Sequence, residues 1–170
     1  MKGAILGDLE EFQVTSGRSS FQSADFNYWG VTFTPDSKRF YCTLSTAGKH
    51  YLVEGDPAEK RGKVLREGVE CPSVSPDGKR VAFKKRIAGS QVKWRIHALD
   101  LTTGRETPLA ETRSVDDQLE WLDAQHVMYS LPEQMDSSSP RMDVWIVAVE
   151  GGDGPKKLLS GAYSPAVERK

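Results

Sequence analysis

The chain has 170 residues, 38% hydrophobic and 28% charged, with 23 Lys+Arg against 24 Asp+Glu for a formal net charge of −1. That length suits one soluble domain with a sizeable core, and near-neutrality argues against nucleic acid or an anionic membrane as obligate partner, since both call for a basic surplus. No apolar run approaches the roughly 20 residues that span a bilayer, and the opening Met1-Lys2-Gly3-Ala4-Ile5-Leu6-Gly7-Asp8 meets an acid too early for a signal peptide.

With 15 Gly and 9 Pro among short apolar runs, and no amphipathic helix of three turns, the pattern is that of an all-β chain. The first repeat runs from Trp29 through Phe33-Thr34-Pro35-Asp36-Ser37-Lys38-Arg39 to Tyr41, and the second from Cys71 through Val74-Ser75-Pro76-Asp77-Gly78-Lys79-Arg80 to Phe83. Pro35 and Pro76 lie 41 residues apart. A degenerate third copy spans Leu119 to Tyr129, and a fourth begins at Ala162-Tyr163-Ser164-Pro165. In Ser75-Pro76-Asp77-Gly78-Lys79, proline pre-sets a type I turn and glycine takes the left-handed position that closes a bulged hairpin. Ser37 stands in that glycine's place in the first copy, so keeping the geometry there costs about 1 kcal/mol.

Each turn leads into an alternating second strand, with Val81 and Phe83 on one side and Arg80, Ala82 and Lys84 on the other, as a half-buried strand requires. Third strands follow at His50–Val53, Trp94–Leu99 and Asp143–Val149, and short fourth strands at Lys63–Leu65, Thr107–Leu109 and Lys156–Leu159. Four strands per unit of about 41 to 47 residues is the arithmetic of a β-propeller blade. The expected organisation is a single partial propeller domain: outer strands of an incomplete blade in 1–28, blades in 29–68, 69–116 and 117–160, and a closing inner strand in 161–170.

The units at Phe33 to Tyr41 and Val74 to Phe83, and the segment Asp143-Val144-Trp145-Ile146-Val147 with Gly151-Gly152 and Leu158-Leu159, resemble the TolB-like β-propeller repeat. The resemblance covers nearly the whole chain from Trp29 onward and, more weakly, Ile5 to Val14. It implies a non-enzymatic protein-interaction or small-ligand scaffold, often outside the cytoplasm and linked through TolB to an envelope system. Complete propellers of this kind usually have six blades, so the three units here are the C-terminal part of a longer ring, half of a ring that self-associates, or an open arc. The alternative function is that of an accessory propeller domain in a serine-peptidase-like hydrolase.

Candidate chemistry is sparse. Cys42 and Cys71 belong to no paired motif and read as free thiols beside strands, a disulfide being allowed but not demanded. His50, His97 and His126 are scattered over three units, which gives no metal site. Asp116, Asp117 and Glu120 lack the alternating ligands of a calcium loop. Gly17-Arg18-Ser19-Ser20 approaches a nucleophile elbow and fails at the last glycine. No catalytic residue, metal or cofactor is therefore expected. The binding candidates are Lys84, Lys85, Arg86, Lys93 and Arg95 on one hairpin, with an acidic protein surface as the partner they suit and only Trp94 to suggest nucleic acid. The polar segment Leu131 to Arg141 reads as a surface loop. Trp29, Trp121 and Tyr163 read as packing between blades.

Overall fold

The turns set the architecture. In the computed structural model, which describes residues 11–13, 26–89, 91, 93–133, 141–152 and 154–168, the Gly78 N–H donates to the Ser75 carbonyl at 2.8 Å and Asp77 Oδ1 accepts from Ser75 Oγ and the Lys79 N–H. The first copy repeats the pattern. Ser37 N–H donates to the Thr34 carbonyl at 2.8 Å, and Asp36 Oδ1 accepts from Thr34 Oγ1 and the Lys38 N–H. Gly78 holds φ of 68° and Ser37 holds 58°, so the left-handed strain expected of a serine at that place is present. In the third unit Asp123 Oδ1 accepts from the backbone N–H groups of Gln125 and His126, closing the shorter turn.

These turns join antiparallel strands into three sheets. The first contains β2 (Asn27–Phe33), β3 (Phe40–Thr46), β4 (Lys49–Asp56) and β5 (Arg61–Glu67), with β1 (Glu11–Gln13) paired outside β5, Phe12 opposite Gly62. The second runs β6 (Val69–Val74), β7 (Arg80–Ile87), β8 (Lys93–Asp100), β9 (Glu106–Pro108). The third runs β10 (Glu120–Trp121), β11 (His126–Pro132), β12 (Met142–Ala148), β13 (Lys156–Leu159). The inner strands β2, β6 and β10 are neighbours, β6 touching both others. This is an all-β partial β-propeller of three blades. β1 extends the first blade's sheet beyond β5, and 161–168 carry no strand. That segment is tied instead to the third blade, Gly161 N–H donating to Asp143 and Ser164 N–H to Ser130 Oγ.

Packing between blades corrects the half-buried reading of β7. Val81 and Phe83 face the first blade and join Tyr41, Leu52, Val69, Val74 and Leu99 in one core. Ala82, with Ile96 and Ala98, faces the third blade and packs among Leu119, Trp121, Val127, Tyr129 and Val147. The middle sheet is thus covered on both sides, and each large apolar side chain it buries contributes roughly 1.5–3 kcal/mol. The inner strands meet closely. A Cβ on Gly30, at a bulge of β2, would stand 3.2 Å from the Cα of Cys71, itself at φ 52° in the matching bulge of β6. Cross-blade hydrogen bonds run from the Cys71 N–H to Thr43 Oγ1 and from Trp121 Nε1 to the Ser73 carbonyl, 2.9 and 2.8 Å. Trp121 is therefore the expected inter-blade packing residue. Trp29 is half-buried and meets the His50 ring edge-on. Tyr163 is 73% exposed and does not pack between blades, because it follows the last strand.

Candidate binding site

The pleat sorts the cations of the second blade. Lys84 lies opposite Ile96 and Lys85 opposite Arg95, so the two adjacent lysines leave the sheet on different faces. Lys84 turns toward the third blade and is 4% exposed, with its Nζ 2.7 Å from Asp116, 3.5 Å from Glu70 and 5.2 Å from the Trp94 ring centre. Burial works against its charge, but Asp116, Cys71 and Glu70 outweigh it and the ammonium pKa stands raised. Glu70 also pairs with His50, whose ring stacks on Trp94 at 6.4 Å. Lys84 thus ties blades together and is not open to a partner. Arg86, on the same face, is exposed.

On the opposite face, toward the first blade, Lys85 and Arg95 form a directly opposed like-charged pair, with exposed Lys93 two residues before Arg95. Glu106 of β9 collects their neighbours: Arg66 Nε at 3.1 Å, Lys85 Nζ at 3.6 Å and His97 Nδ1 at 2.8 Å. Arg66 also donates to the carbonyls of Leu65 and Gly104, 2.7 Å each, which bolts the first blade's outer strand to the second blade. Burial lowers the His97 pKa and Lys85 and Arg95 lower it further, against Glu106. The Nε of Arg95 is buried without a hydrogen-bond partner. Arg66 and Glu106 escape a sequence reading because they belong to fourth strands of two different units, and only the register of the repeat brings them together.

The turn end of the molecule carries two clefts. One of about 830 Å³ between the first and second blades is lined by Arg39, Tyr41, Glu54, Asp56, Asp77 and Leu101, among others. Its charges are internally satisfied: Tyr41 donates to Glu54 at 2.8 Å, and Arg39 pairs with Glu54 and Asp56 at 3.3 and 3.6 Å. The second, about 700 Å³, lies between Arg80, Asp100 and Arg105 of the second blade and Glu150 of the third.

The remaining sequence candidates have separate employments. Each histidine pairs with its own carboxylate, His50 with Glu70, His97 with Glu106 and His126 with Asp123. Asp116 holds Lys84, Asp117 accepts the Ser130 N–H, and Glu120 accepts from Ser73. Among the described residues no group of three or more His, Cys, Asp or Glu side chains is placed to hold a metal ion. No helix among them is long and apolar enough to cross a membrane. Cys42 and Cys71 are free thiols. Of the expected loop, Leu131 and Pro132 belong to β11, Glu133 and Arg141 form an ion pair at 2.6 Å, and 134–140 lie outside the described residues, as do Gly17 to Ser20.

No family model matches the chain, and no curated protein does. Solved structures do match. TolB from Acinetobacter baumannii shares 20% identity with a TM-score of 0.63, over 78% of this chain and 32% of its own. The likeness is one of fold. Acylaminoacyl peptidase from Pyrococcus horikoshii shares 15% identity with a TM-score of 0.63, over 79% of this chain and 25% of its own. The β-propeller domain of the Trilobed protease from Pyrococcus furiosus, which has an open velcro topology, shares 14% identity with a TM-score of 0.51, over 83% and 60%. This chain spans less than two thirds of each. It resembles TolB-like propellers partially and at low identity, and the same fold occurs in peptidases.

Proposed function

We propose that the chain is a non-enzymatic protein-interaction scaffold. The observation that carries this reading is where large apolar side chains stay open to solvent. Tyr28, Val31 and Phe33 are exposed on the inner strand of the first blade, and Leu158, Leu159 and Tyr163 at or just beyond the outer strand of the third. The blade between them packs on both faces and exposes only Ile87 of its large apolar side chains among the described residues. Apolar surface gathered on the terminal sheets suits further blades, and a second copy supplying three of them would complete a ring of six. Light scattering coupled to size exclusion tests this: twice the chain mass of 18.9 kDa is expected, and a stable monomer at high concentration refutes the paired ring. The resemblance to TolB-like propellers favours a compartment outside the cytoplasm.

A second reading is favoured by the fold match to an acylaminoacyl peptidase, which covers a quarter of that chain. On it, the chain is the accessory propeller of a hydrolase, guarding a catalytic domain carried elsewhere. Sequencing the parent reading frame separates the two, since an appended hydrolase domain sinks the scaffold reading.

A further inference from the structure

We propose that Lys85, Lys93 and Arg95, on the face of the second blade turned toward the first, bind an acidic polypeptide segment in extended conformation. The inference rests on the scaffold reading and names the partner that one of its surfaces takes. Charge gives the first argument. Arg66 and Lys85 share the carboxylate of Glu106, Lys85 donates also to the Glu67 carbonyl, and the Glu67 carboxylate is paired with Lys49 at 3.0 Å, which leaves none of these acids to Arg95 or Lys93. Lys85 and Arg95 are moreover directly opposed across two strands, an arrangement that repels unless an anion lies between or above the pair.

Donor geometry gives the second. The Nε of Arg95 is buried and unpartnered while the residue as a whole is half-buried, so the guanidinium is short of acceptors and what it keeps at the surface suits a carboxylate. His97, on the same face two residues on, takes up Glu106 at 2.8 Å as well. Spacing gives the third. Lys93 and Arg95 project from one strand about 6.6 Å apart, the interval between alternate side chains of an extended peptide, and half-exposed Ile87 lies opposite Lys93 as an apolar contact. A lone phosphate would meet one of these cations at a time, whereas alternating acids meet Lys93 and Arg95 together.

The test is fluorescence anisotropy with a fluorescein-labelled peptide carrying Glu at alternate positions, titrated with the full chain. Arg95→Gln is expected to weaken binding about 10-fold, the loss of one charge-assisted pair, and exposed Lys93→Gln, which is safe for folding, about 3-fold. Rising salt should weaken binding throughout. Wild-type affinity in Arg95→Gln and Lys93→Gln overturns the proposal. So does equal affinity for a peptide whose Glu residues are adjacent rather than alternate, or displacement by inorganic phosphate at the peptide's own concentration. A monomeric mass in light scattering would strike the paired ring and leave the anisotropy result untouched, so the two failures are told apart.

Discussion

Glu111 offers the sharpest test of how the blades are joined. It lies fully buried in the link between β9 and β10, where its carboxylate accepts from the Arg113 backbone N–H (2.8 Å), Arg113 Nε (2.9 Å), Arg113 NH2 (2.6 Å) and the Tyr129 hydroxyl. The Arg113 guanidinium sits 4.0 Å over the Trp145 ring. Burial pushes the Glu111 pKa up, but Arg113 and Tyr129 outweigh it and the carboxyl titrates below its usual range. Burial and that same carboxylate push the Tyr129 hydroxyl up, so it stays the donor. Glu111→Gln keeps the shape and an acceptor and loses the charge, a cost of about 1.5–3 kcal/mol for bonds to a charged group. Glu111→Ala leaves the buried Tyr129 hydroxyl without an acceptor and should cost about 3–5 kcal/mol. Urea unfolding reads both, a loss of about 2 kcal/mol moving the midpoint by roughly 1 M. Because the folded pKa is depressed, the contribution of the carboxylate is complete above the unfolded value of about 4.3 and is lost as pH falls through the folded one. The gap between wild type and Glu111→Gln must therefore narrow at acid pH. Equal stability at pH 7, or a gap that does not change with pH, refutes the reasoning.

Gly55→Ala is expected to destabilise by about 1–3 kcal/mol, because the new Cβ would lie 2.0 Å from the Phe40 ring; thermal unfolding reads it, and an unchanged melting temperature would show the ring free to move. Ser37→Gly should stabilise by roughly 0.5 kcal/mol, relief of left-handed strain offset by the entropy of glycine; the same scan checks the sign. Burial pushes the Cys42 thiol up to about 11 and raises Cys71 as well, so a disulfide-exchange reagent at pH 7.5 should modify the folded chain slowly, half-buried Cys71 before Cys42. Fast labelling of Cys42 would contradict its place in the first blade's core.

What was legible in the sequence was local. The Pro-Asp turns could be read because every bond that makes them lies within five residues: Asp77 and Ser75 satisfy the turn alone, and Asp36 with Thr34 does the same. Strand alternation was read correctly too, with Val81 and Phe83 on one side and Ala82 and Lys84 on the other. What alternation cannot report is whether a face meets solvent or another blade. Lys84 and Lys85 look alike in the chain, yet one is buried against Asp116 and Glu70 while the other, on the opposite face, is half-buried and reaches Glu106 and the Glu67 carbonyl of the first blade. Arg66 was invisible for the same reason, since its importance comes from Glu106, 40 residues away on a different sheet. Tyr163 kept the period of the repeat but has no strand of its own to sit in.

The junctions between blades explain why the site and the exposed apolar ends occur where they do. A sheet in a repeat stack contacts only its neighbours, so stability is a sum of blade and junction terms. Both internal junctions carry a buried ionic tie: His50, Glu70, Lys84 and Asp116 for the first pair of blades and their approach to the third, Glu111 with Arg113 and Tyr129 for the second. Buried Lys84 and buried Glu111 each have an opposite charge close at hand, as buried ions require. The Lys85–Arg95 pair departs from that rule at the very edge of a junction, where water or a partner can reach it. Lys85 joins the junction, donating to the Glu67 carbonyl of the first blade at 2.9 Å and pairing with Glu106, whereas Arg95 opposed to it adds like-charge repulsion. Arg95 therefore has to be weighed against a ligand as well as against the fold, in the same way that Tyr28, Phe33 and Leu159 have to be weighed against a neighbouring blade.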